Sequence, residues 1–102
     1  MDIELLSWKL SNNQYELSQH AEDEKEADKI LFREIDETVD NLELVENYPD
    51  DPRGPSCLVL GFTTEINPIH FVCGNLEKGK ILIITMYRPD PQKWINFRIR
   101  RG

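Results

Sequence analysis

Apolar and polar positions change their period midway along the chain, and the change marks where helix gives way to strand. From Ala21 to about Asn41 the apolar residues Ala27, Ile30, Leu31, Ile35, Val39 and Leu42 recur at spacings of one, three or four, the repeat of one helical face. No proline or glycine interrupts the stretch, so it fits one long helix or two short ones. Ser18 suits the cap of that segment, its hydroxyl accepting a free N–H of the first turn. Glu22, Asp23 and Glu24 then suit the positive end of the helix dipole. Leu31-Phe32 is an odd apolar pair to leave exposed. Ahead of this segment, residues 1–14 mix Ile3, Leu5, Leu6, Trp8 and Leu10 with a polar stop at Ser11-Asn12-Asn13. They read as a short helix or irregular segment whose Trp8 packs on the body. Tyr15-Glu16-Leu17 alternates and reads as a short strand.

Tyr48-Pro49-Asp50-Asp51-Pro52-Arg53-Gly54-Pro55 is a loop by composition, because proline removes donors and fixes φ. Beyond it the period becomes two. Cys57–Thr63, Ile69–Cys73 and Ile81–Tyr87 are β-rich runs, separated by residues 64–68 and 74–79, both good hairpin loops. Helices followed by a meander predict an α+β fold, with N-terminal helices packed on one face of a small antiparallel sheet. The tail Lys93–Arg101 alternates Trp94, Phe97 and Ile99 with charges, as a turn of helix or an edge strand would. One domain over residues 1–102 accommodates all of this, with 1–14 as an N-terminal extension and 92–102 as a basic tail.

Composition narrows the function classes. A chain of 102 residues that is 39% hydrophobic can build one core without staples. The acidic start Met1-Asp2-Ile3-Glu4 lacks the order of a secretory signal, and no run approaches the roughly 18 apolar residues of a spanning helix. Cys57 and Cys73 fall in strand patterns and read as buried thiols of a cytoplasmic, reduced protein. A net charge of −7 argues against generic nucleic-acid binding. Its distribution is uneven, however. Arg88, Lys93, Arg98, Arg100 and Arg101 face one acid, Asp90, in the last fifteen residues, whereas 13 acidic residues lie between Glu22 and Asp51. A basic end suited to phosphate and an acidic helical face are expected; a solvated tail would carry the same charges.

The chemistry-bearing candidates gather near the last strands. Alternation puts His70 and Val72 on one face and Ile69, Phe71 and Cys73 on the other. It puts Ile81, Ile83, Thr85 and Tyr87 together, opposite Leu82, Ile84 and Met86. Thr85 and Tyr87 then mark a working surface that His70 joins if the register allows. Histidine beside arginines and a tyrosine equips a site for metal-independent RNA cleavage: a base takes the 2′-OH proton, an acid protonates the leaving oxygen, and arginines stabilise the phosphorane. A lone strand histidine is also a common hydrogen-bonded core residue, and Tyr87 a common rim aromatic. Neither a glycine-rich phosphate loop nor a zinc cluster is present, so no cofactor and no metal are expected.

The strings Ser18-Gln19-His20-Ala21, Tyr48 through Gly61, Pro68-Ile69-His70-Phe71-Val72 and Ile84 through Pro91, with Trp94, together resemble a bacterial domain-of-unknown-function family. In that family a short strand precedes an S-x-H-A helix start, followed by a Y-P-D-D loop, a P-L-H-V-V strand and a T-V-Y-x-P-D-P-x-x-W ending. The likeness spans residues 15–95 and is allied to RelE/ParE-type toxins. It implies a RelE-like fold and the toxin of a type II toxin–antitoxin module. It also implies an endoribonuclease acting on RNA, ribosome-associated mRNA among its targets, held inactive by a cognate antitoxin. His20, His70, Tyr87 and Arg88 are the catalytic positions nominated, and Thr85, Lys93, Arg98, Arg100 and Arg101 the substrate-binding ones. The family's first helix carries arginines where this chain has Glu24 and Asp28, acids that would repel phosphate. The competing expectation is a non-catalytic domain whose acidic helices and Leu31-Phe32 bind a basic protein partner.

Overall fold

A computed structural model describes all residues, 1–102, as three helices and seven strands. Helix α1 (Ile3–Ser11) leads to strand β1 (Tyr15–Leu17), then helices α2 (Gln19–Ala27) and α3 (Phe32–Thr38). Strands β2 (Glu43–Tyr48), β3 (Ser56–Phe62), β4 (Pro68–Asn75) and β5 (Ile81–Tyr87) follow, and β6 (Trp94–Ile95) and β7 (Ile99–Arg100) close the chain. The main sheet runs β1-β5-β4-β3-β2, and β6-β7 is a separate small hairpin. The α+β expectation holds, with a mixed rather than antiparallel sheet, because β1 pairs parallel to β5. No helix is long and apolar enough to cross a membrane.

The helical stretch is two helices. Lys29 adopts φ +55, and the Ile30 N–H reaches back to the Lys25 carbonyl at 2.9 Å, a Schellman closure built without glycine. Glu34 restarts the helix by accepting the Leu31 N–H at 3.1 Å. This corner leaves Leu31 and Phe32 about half exposed, and Trp8, expected against the body, is 55% exposed. Helix α1 is instead anchored by Leu6 and Leu10, both buried, and capped by Asp2, which accepts from Glu4 and Leu5.

The core lies between the helices and one sheet face. Leu6, Leu10, Ala21, Ile30, Ile35 and Val39 meet Cys57, Val59, Ile69, Phe71, Cys73, Ile81, Ile83 and Met86. Fully burying each large apolar side chain contributes roughly 1.5–3 kcal/mol. Gly61 permits the closest approach, since a Cβ there would stand 2.5 Å from the Thr38 Cβ.

Beyond the end of β1 the outer edge of β5 is covered by α2, and polar side chains take the place of a strand. The Ser18 hydroxyl accepts the Ala21 N–H at 3.0 Å and donates to the Ile84 carbonyl at 2.7 Å. Glu24 accepts the Met86 N–H at 3.1 Å, and Asp28 accepts the Arg88 N–H at 2.8 Å. Buried backbone donors need partners, and these two acids supply them. Glu24 and Asp28 are therefore fastened to the edge of the sheet rather than displayed as a phosphate-repelling surface.

Candidate functional site on the second sheet face

Two β-bulges decide which side chains share the sheet face away from the helices. One falls between Leu44 and Glu46 on β2, the other opposite the Val72–Cys73 step on β5. Strict alternation would put Glu43 and Glu46 on opposite faces and join Thr85 and Tyr87 to Ile81 and Ile83. The extra residue in each strand reverses both relations. The expected grouping of Ile81, Ile83, Thr85 and Tyr87 is thus corrected: Ile81 and Ile83 enter the core, while Thr85 and Tyr87 turn to the other face.

Cross-strand register then lays out that second face. Glu43 lies opposite Leu60, Leu60 opposite His70 and His70 opposite Tyr87. The adjoining row is Glu46, Leu58, Val72 and Thr85, and the next begins with Tyr48, Ser56 and Gly74. The β6-β7 hairpin folds over the first row. Its turn is tight: Asn96 and Phe97 have φ +51 and +62, and the Arg98 N–H bonds the Ile95 carbonyl at 3.0 Å. Left-handed backbone in a phenylalanine is strained, and side-chain contacts hold it in place.

His70 is the first of those contacts. Its side chain is fully buried, with Nε2 2.7 Å from the Phe97 carbonyl and Nδ1 3.1 Å from the Tyr87 hydroxyl. A carbonyl only accepts, so Nε2 carries the proton. Burial holds the imidazole pKa below its ordinary value of 6.5, so Nδ1 is bare and Tyr87 donates to it. The Trp94 ring stands edge-on at 4.6 Å between centroids. Burial pushes the Tyr87 phenol up to about 12. With both ring nitrogens engaged and no exposure, His70 fastens the hairpin and is not open to a substrate.

Beside it the face is open. Arg100 grips Glu46, its Nε 2.9 Å from Oε2 and its Nη2 3.1 Å from Oε1, and lies over the Trp94 ring at 4.6 Å. The Tyr48 hydroxyl donates to the same carboxylate. Arg100 foremost, with help from Tyr48, holds the Glu46 carboxyl below the ordinary carboxylate range. Burial, then Glu46, raises the Tyr48 phenol. Glu46 keeps 27% and Arg100 61% of their side-chain surface exposed. The grouping offers an ionised carboxylate, a guanidinium and a neutral phenol to solvent, whereas half-buried Thr85 lies three strands away on β5.

The other nominated residues are dispersed. His20 is an exposed residue of α2, 3.2 Å from Glu24, and shares no partner with His70. Arg88 is placed at the end of β5, where its guanidinium donates to both oxygens of buried Glu34 at 3.0 Å and to the Asp28 and Lys29 carbonyls. That clamp joins the α2-α3 corner to the sheet and leaves Arg88 away from the Tyr87 hydroxyl. Arg98 forms a bidentate pair with Glu43. The basic end is therefore largely neutralised in place by Glu34, Glu43 and Glu46. Lys93 and Arg101 alone among its five cations lack a carboxylate partner, and Arg101 donates to the Pro91 carbonyl. Glu46 was not singled out in the sequence, because an acid following an acidic helical stretch carries no motif, and Tyr48 entered only as the first residue of the Y-P-D-D loop, with no role attached. No cluster of histidine, cysteine and acids suited to a metal ion forms.

A family model described as a domain of unknown function, DUF4258, matches residues 17–88. No curated protein and no solved structure matches the chain.

Proposed function

The chain belongs to the DUF4258 family, and from that premise and the open sheet face we propose that it is a metal-independent endoribonuclease. Its setting in this reading is the cytoplasm, as a RelE/ParE-like toxin of a type II toxin–antitoxin module neutralised by a cognate antitoxin. The toxin setting rests on the likeness of the four strings between Ser18 and Pro91. The observation that carries the chemistry is the meeting of Glu46, Arg100 and Tyr48 on the open sheet face.

Glu46 is ionised at neutral pH and is the base that takes the 2′-OH proton. The freed 2′ oxygen attacks phosphorus, the bond to the 5′ oxygen breaks, and a 2′,3′-cyclic phosphate forms. Arg100, released from part of its hold on Glu46, stabilises the charge on the phosphorane. Glu46 returns its proton to the departing 5′ oxygen through the Tyr48 hydroxyl with which it shares a hydrogen bond. His70 and Tyr87 act as positioning residues that hold the hairpin bearing Arg100.

The test is incubation of antitoxin-free protein with end-labelled RNA in EDTA, with and without ribosomes. Wild type yields cyclic-phosphate ends, and Glu46→Gln lowers the rate by about 10²–10⁴-fold at an unchanged melting temperature. Intact RNA in both settings, or full activity of Glu46→Gln, removes the ribonuclease reading. One observation favours a second reading: three of the four arginines of the basic end are already paired with Glu34, Glu43 and Glu46. On that reading the chain is a toxin-like module that binds a basic protein partner.

A further inference from the structure

On the far side of the molecule from Glu46, two hollows of 470 and 390 Å³ adjoin through shared Leu17 and Phe32. The first is floored by Leu17, Ile30, Leu31 and Phe32, the second by Tyr15, Leu17 and Phe32. The second runs along β1, which is the terminal strand of the sheet, and the first opens from the end of that strand at Leu17. The Gln14 carbonyl receives the Ile81 N–H and the Ser18 N–H reaches the Ile83 carbonyl, so those residues turn their polar groups inward. In a strand the direction alternates, and the N–H and C=O of Tyr15 and Leu17 point outward from the open edge. An unpaired edge beside an apolar trough is the arrangement that receives an added strand.

The charges around the trough specify the occupant. Glu16, Glu22, Glu26 and Asp36 line it against Lys25 and Lys29. Lys25 lies 4.1 Å from the Phe32 ring centroid, the four acids outnumber the two lysines, and Asp23 is exposed on the same helix. Helix α2 closes the trough with its acids, and the corner at Lys29 is what keeps Leu31 and Phe32 out of the core.

We propose that this edge is a docking site for an extended, cationic segment of a protein partner, which adds as a strand to Tyr15–Leu17. Its apolar side chains enter the Leu17–Ile30–Leu31–Phe32 trough, and its lysines or arginines meet Glu22, Glu26 and Asp36. The site lies on a different surface from Glu46, so it stands whether or not the chain cleaves RNA.

A short synthetic peptide alternating lysine and leucine is the probe. A scrambled peptide of the same composition and a glutamate–leucine peptide are its controls. The intact chain is titrated without RNA, and hydrogen exchange is followed by NMR. Saturable binding of the alternating peptide is expected, with slowed exchange at the Tyr15 and Leu17 amides. Phe32→Ala and Leu31→Ala, both at exposed positions, each weaken it by about tenfold at unchanged melting temperature. Absent binding, equal binding of the scrambled peptide, or indifference to both substitutions overturns the proposal. A Phe32-dependent dimer in sedimentation would assign the trough to a second copy of the chain and overturn it equally.

Discussion

The two faces of this one sheet are held by different physics. The helix side is a continuous apolar contact in which Phe71, Ile69, Ile83 and Met86 lie fully buried against Leu6, Leu10, Ile30 and Ile35. The hairpin side buries a smaller patch, Leu58, Leu60, His70 and Trp94 with Ser56 and Gly74, and closes it with charge pairs and one imidazole. Apolar burial is non-directional and survives salt, whereas exposed ion pairs contribute little and are screened. The face that is weakly held is the one that presents Glu46, Arg100 and Tyr48, and a site reached by substrate has to come from surface of that kind.

Substitutions can break this contrast in order of their expected effect. Phe71→Ala removes the largest side chain of the helix side and costs about 3–5 kcal/mol, read from urea unfolding. Arg88→Ala leaves buried Glu34 and two carbonyls without their donor; Arg88 is one-third exposed, so the expected loss is about 2 kcal/mol, read the same way. A loss near zero would mean that water replaces the clamp.

On the hairpin side, His70 supplies a pH dependence whose sign is determined. Its folded pKa lies below the ordinary 6.5, so the unfolded chain binds the proton first as pH falls. The contribution of neutral His70 is complete above about 6.5 and is lost as pH drops through the lowered folded value. His70→Gln therefore flattens unfolding free energy as pH falls below about 6.5, and an unflattened profile would place that dependence on another group. Joint Arg98→Ala and Arg100→Ala costs about 1 kcal/mol or less but speeds amide exchange in residues 94–100 selectively. Uniformly faster exchange across the sheet would show that the hairpin is part of the global cooperative unit. Smallest of all, His20→Ala changes stability by less than about 0.5 kcal/mol, and a larger change would give that exposed residue a partner beyond Glu24.

The strands β3, β4 and β5, the Ser18 cap and the apolar face of the helices were legible because each is local. Alternation, a hydroxyl at a helix start and a period near four are written within a few residues. The strand β2 was not. Its run Glu43-Leu44-Val45-Glu46-Asn47-Tyr48 carries a bulge that hides the alternation, and its acids continue the composition of the helices before it. The break between α2 and α3 was equally hidden, since a lysine rather than a glycine takes the left-handed position.

The candidate site divides along the same line. His70 and Tyr87 were placed together by register once the β5 bulge had turned Tyr87 to that face, yet their mutual bond and the Phe97 carbonyl make them a fastening. Arginines at 98 and 100 were visible as charge, but which carboxylates they meet depends on how the hairpin folds back over β2.

What the sequence determined by itself was the α+β class, the single core and the candidate strands, because burial and backbone pairing follow the local repeat of apolar residues. Tertiary structure decided which residues meet. Two bulges brought Glu43 and Glu46 onto one face and turned Thr85 and Tyr87 away from Ile81 and Ile83. Glu24 and Asp28 became partners of backbone N–H groups more than fifty residues away. Such relations depend on contacts between distant segments, and a one-residue change in register reverses every side chain it follows.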